Sequence, residues 1–78
     1  MAEKVPVLIV TFASTTQAIA GEKCLKGAGL PGRIIPVPRQ ISAACGLSWK
    51  APPESRGQIT AVLAANGLGW VDMFEIGL

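Results

Sequence analysis

The chain contains no histidine. That absence removes the Ser–His and Cys–His pairs of nucleophilic catalysis and the imidazole ligands of many metal sites. Cysteine is scarce too: Cys24 and Cys45 are the only two, too far apart for a C-x-x-C redox motif. A disulfide between them is not expected in a reducing cytosol. Charge is thin, at 15% of residues and a net +2, with lysine and arginine scattered along the chain. A nucleic-acid binder would carry a denser basic footprint. Long apolar runs are also missing. The longest, Val5 to Ala13, falls far short of the roughly 20 residues that a membrane-spanning helix takes. The opening Met1-Ala2-Glu3-Lys4 does not read as a secretory leader, so a cytoplasmic protein is the expectation.

What is present is apolar. Half of the 78 residues are hydrophobic, which fits one folded domain over residues 1–78 and argues against disorder. A chain this short buries only about 60–65% of its unfolded surface, so the core has to be economical. Excess apolar surface would suit a partner or a second copy, so a homodimer is one expectation.

Val5 to Phe12 is a β-branched run, apolar on both alternating faces, and predicts a central strand covered on both sides. Ser14 with Gln17 three residues later fits a helix capping box. The helix is expected to run to about Ala28, to bury Ala18, Gly21, Leu25 and Ala28, and to end at Gly29 in a left-handed cap. Arg33 to Val37 reads as a second strand. Pro36 inside it and Pro38 just after it place it at a sheet edge, because proline donates no ladder bond. Gly46 to Ala51 alternates, with Leu47, Trp49 and Ala51 expected inward and Ser48 and Lys50 outward. Pro52-Pro53-Glu54-Ser55 opens a second helix with an apolar stripe of Ile59, Val62, Leu63 and Asn66, closed by Gly67. Trp70 to Ile76 reads as a last strand, with Gly77-Leu78 a frayed end.

The order β-α-β-β-α-β predicts an α+β, ferredoxin-like sandwich: a four-stranded antiparallel sheet with two helices on one face. The halves echo each other, since Lys26-Gly27-Ala28-Gly29-Leu30 resembles Ala64-Ala65-Asn66-Gly67-Leu68.

The link between the second and third strands is longer than the two to five residues usual in a hairpin. It runs from Pro38 to Cys45, with room for a helical turn over residues 39–44. Long ordered loops on a rigid scaffold are where function concentrates. A thiol acts as nucleophile or carrier in its thiolate form, which nearby positive charge favours. Arg39 is the nearest cation in sequence, Ser42 supplies a hydroxyl, and Gly46 lets another molecule approach closely. The competing reading of any free cysteine is a small buried hydrophobe. Cys24, at mid-helix, is read that way. Arg33, Arg39, Lys50 and Arg56 are read mainly as solvated surface, with an anion patch as the alternative. Trp49 and Trp70 are read as core.

The segment Pro36-Val37-Pro38-Arg39, then Ile41-Ser42-Ala43-Ala44-Cys45-Gly46-Leu47, with Glu22-Lys23 after the first strand, resembles the selenium/sulfur carrier protein-like family of small bacterial proteins. The most specific part is Pro-Arg-x-Ile-Ser-x-x-Cys-Gly, matched from Pro38 to Gly46 without gaps. The resemblance implies that Cys45 holds sulfur or selenium as a persulfide or selenosulfide. It also implies that donor and acceptor proteins are the partners; Pro38, Arg39, Ser42 and Gly46 are the candidate binding residues beside the thiol in sequence. No metal, cofactor, nucleic acid or membrane is expected. A carrier or accessory role is favoured over an enzyme, because no general base is visible beside Cys45. The alternative is a non-catalytic binding or assembly module acting through an apolar face of the first strand, Leu8 and Val10 or Val7 and Ile9.

Overall fold

The computed structural model describes residues 5–39, 41 and 46–77. The apolar run near the N-terminus forms β1 (Pro6–Thr11), and α1 (Thr15–Gly27) follows after a short link. Ser14 caps α1: its side chain accepts from the Gln17 N–H at 3.2 Å. Gln17 reaches back as the capping box requires, but to the N–H of Ala13 at 3.3 Å, one residue before the cap. β2 (Arg33–Pro36) and β3 (Leu47–Ala51) form the central hairpin. A single 3-10 turn, Pro53–Ser55, leads into α2 (Arg56–Ala65), and β4 (Asp72–Gly77) closes the order.

The sheet runs β2-β3-β1-β4 with every pair antiparallel. β3 lies between β1 and β2, and β1 lies between β3 and β4, so two split β-α-β units interlock as an α+β ferredoxin-like sandwich. β2, with its proline, is an edge strand as expected.

One face of the sheet lies under both helices. Leu8, Val10, Phe12, Trp49 and Ala51 pack there against Ala18 and Leu25 of α1 and Ile59 and Leu63 of α2. Burying a side chain of this size contributes about 1.5–3 kcal/mol, so these residues carry most of the apolar driving force. Gly21 belongs to the interface because a Cβ there would lie 2.9 Å from the Phe12 ring.

The repeated helix ends have a common cause. Gly29 (φ 74°) and Gly67 (φ 67°) are left-handed. Gly29 N–H donates to the Lys26 carbonyl and Leu30 N–H to that of Leu25; Gly67 and Leu68 do the same to Ala64 and Leu63. Both are Schellman motifs, and Leu30 and Leu68 then pack on the core. The echo Lys26–Leu30 and Ala64–Leu68 is this motif used twice.

Four details depart from the sequence reading. Ala28 and Asn66 are exposed, because the chain turns at the cap before either can reach the core. The last strand begins at Asp72, two residues after Trp70, and Gly77 pairs with Pro6 instead of fraying. Ser48, expected outward in solvent, is fully buried. Cys24, expected in the core, is half-buried beside a groove between α1 and α2.

Candidate functional site

The register places Val7, Ile9 and Thr11 of β1, Ile35 of β2, Ser48 of β3, and Phe74 and Ile76 of β4 on the face away from the helices. An unpaired antiparallel sheet face is ordinarily polar. Here Arg33, Lys50 and Asp72 share the face with a largely apolar set, and Ile9, Thr11 and Ser48 are 0%, 1% and 0% exposed. The β2–β3 loop supplies part of the cover. Ile41 from that loop is itself 8% exposed and clusters with Val7 and Ile9, while Ile35, Val37, Phe74 and Ile76 pack around them.

Two backbone bonds shape the loop's entry. Val37 N–H donates to the Gly46 carbonyl at 3.1 Å, which extends the hairpin by one bond and closes the loop's base. Ile41 N–H donates to the Pro38 carbonyl at 3.0 Å, so the chain turns directly after Pro38 and delivers Ile41 to the sheet. Ile41 is the one large aliphatic residue between Val37 and Leu47, a sequence signal for an anchor that the sequence reading passed over.

Among the residues expected at the site, Pro38 is half-buried at this turn and Arg39 is exposed beside it. Gly46 is exposed, and a Cβ added there would meet open space. Ser42 and Cys45, and with them most of the helical turn expected over residues 39–44, lie outside the described residues. The two hydroxyls buried on this face are already engaged. Ser48 Oγ donates to the Ile35 carbonyl and Thr11 Oγ1 to the Asp72 carbonyl, each at 3.3 Å. They hold the sheet and are not spare donors.

The contact surfaces expected on β1 are closed within the chain. Leu8 and Val10 are wholly buried under the helices, and Val7 and Ile9 are 8% and 0% exposed. A partner reaching the apolar faces of β1 would first have to displace helix or loop.

Cys24 is a free thiol beside a groove between the helices, lined also by Lys23, Ala61 and Val62. Its neighbour along α1, Lys26, pairs with Glu22 at 3.3 Å. Among the described residues no group of three His, Cys, Asp or Glu side chains is placed to hold a metal ion. No helix among them is long and apolar enough to cross a membrane. The cations do not gather at the loop: Arg56 opens α2, whereas Arg33 and Lys50 face each other across β2 and β3.

A family model described as "Putative Se/S carrier protein-like" matches residues 7–75. No curated protein matches the chain. No solved structure matches it.

Proposed function

The chain belongs to the Se/S carrier protein-like family, and from that premise we propose that Cys45 carries a sulfur or selenium atom between a donor and an acceptor protein. The observation that carries this reading is the extent of the match. It runs through the whole β2–β3 loop and includes Pro38, Arg39, Ser42, Cys45 and Gly46. The build of the loop supports it. A base bond between Val37 and Gly46 and the burial of Ile41 tie the described parts of this loop to the sheet.

The step needs no external redox partner. The Cys45 thiolate attacks the terminal sulfur of a persulfide on the donor. A new S–S bond forms at Cys45 as the donor's S–S bond breaks, and the donor's cysteine leaves as thiolate. The terminal sulfur keeps its proton, and Cys45 ends as a persulfide. With a terminal selenium the same exchange gives a selenosulfide. Release to an acceptor thiol is the reverse exchange. Arg39 favours the thiolate by its charge, and Gly46 leaves room for the donor's sulfur to approach. The reaction is carriage; it calls for neither a histidine base nor a metal.

Intact mass after incubation with a cysteine or selenocysteine lyase and its substrate tests this. Wild type and Cys24→Ser should each gain one sulfur or selenium atom, and Cys45→Ser should gain none. Loading that survives in Cys45→Ser, or that is lost in Cys24→Ser, overturns the assignment.

A further inference from the structure

At the end of the sheet opposite the β2–β3 loop lies a groove of about 520 Å³, between the start of β1, the start of β2 and the turn that enters α2. Its walls are mostly apolar, with Val5, Pro31 and Pro52 among them. Arg33 and Lys50 also line it. The two are direct partners in the β2–β3 register, so their side chains leave the same face of the sheet. Partners in such a ladder have Cβ atoms roughly 4.5–5.5 Å apart, and like charges placed there repel. Neither forms an ion pair or a side-chain hydrogen bond among the described residues, although Glu54 lines the same groove. A repelling pair of cations that find no partner among the described residues, set over an apolar wall, is a poor arrangement for stability alone. It suits an anion that sits between them.

The geometry points to a binding site for a small organic anion, its carboxylate or sulfonate head held by Arg33 and Lys50 and its apolar body laid on Val5, Pro31 and Pro52. The groove's size favours a small molecule over a protein segment, since such ligands occupy sites of about 300–1,000 Å³. Arginine supplies a planar fork for the head group and lysine a second point charge. Glu54 is the adverse element, and it makes the site selective for ligands whose charge lies toward Arg33 and Lys50. The site is inferred independently of the carrier reading.

Anilinonaphthalene sulfonate, an apolar anion, is a suitable probe, titrated into the full chain and followed by amide-resolved NMR. Shifts should concentrate at Gly32, Arg33, Lys50, Ala51 and Glu54. Arg33→Gln and Lys50→Gln should each weaken binding roughly five- to tenfold, in line with loss of one charge-assisted contact. Lys50→Arg should retain it, and Glu54→Gln should tighten it about twofold by removing a repulsion. Neutral phenylnaphthylamine should bind at least about tenfold more weakly than the sulfonate. The proposal is overturned by absence of binding, by equal binding of the neutral compound, or by indifference to both charge removals. Shifts centred on Phe74 and Ile76, or on the groove beside Cys24, would overturn it as well.

Discussion

Leu8 and Val10 lie under two helices, while Val7 and Ile9, one residue out of phase on the same strand, lie beneath a cluster to which a loop contributes Ile41. Both sides of β1 reach nearly complete burial, but by different means. The helical side is covered by elements with their own capping and their own apolar stripes, so several residues share each contact. The other side depends, among the described residues, on one loop side chain and its turn at Pro38. The difference separates two tasks. The helical layer supplies stability, and the loop layer spends apolar surface to hold the segment that leads to Cys45. Loss of a helical contact should therefore be felt by the whole domain, and loss of the loop contact chiefly by the loop.

The largest effect should come from the helical side. Leu63 is fully buried between α2 and the sheet, and Leu63→Ala removes contacts that neighbours cannot refill. A loss of about 3 kcal/mol is expected in urea unfolding, with the slope unchanged. Ile41→Ala should cost less, about 2 kcal/mol, because Ile41 keeps slight exposure and a loop can settle into the space. Its distinguishing consequence is local. Trypsin should cut after the exposed Arg39 faster in Ile41→Ala than in Leu63→Ala under conditions where both remain folded. Equal cleavage in the two variants would show that the loop is held by something other than Ile41.

The same contrast explains what could be read from the residues. Helix ends, edge position and element order were legible because each has a local cause: Ser14 and Gln17, Gly29 and Gly67, Pro36. The apolar pattern of β1 correctly announced two covered faces, yet it could not say that a loop helps to cover the second. Ile41 was overlooked for that reason, and Ser48, on the expected face, is buried where an open face was expected. Cys24 failed differently. Its helical phase lies beside the stripe of Ala18, Gly21 and Leu25, close enough to look buried and far enough to face the groove between the helices. The motif from Pro38 to Gly46 was legible as a motif, and its turn and base bond now have structure. The pairing of Arg33 with Lys50 was hidden because it depends on the β2–β3 register, which the long loop leaves open in sequence.

The smallest effects sharpen the comparison through glycine. Gly67 closes α2 at φ 67° with open space around its missing Cβ, so Gly67→Ala meets no clash and pays only for the left-handed backbone. That strain should cost about 1 kcal/mol, read as a lower unfolding midpoint, with any sulfur or selenium loading of the folded chain unchanged. Gly46 has open space too, but its φ is not in the left-handed region. Gly46→Ala should then leave stability within about 0.5 kcal/mol of wild type. Any slowing of sulfur or selenium loading in Gly46→Ala would therefore report a hindered approach to the neighbouring thiol and not a weakened fold. Unchanged loading would remove Gly46 from the site and leave Arg39 and Ser42 as the candidates beside Cys45. The two glycines thus test the two layers separately: Gly67→Ala reads the stability of the fold, and Gly46→Ala reads loading at a stability close to wild type.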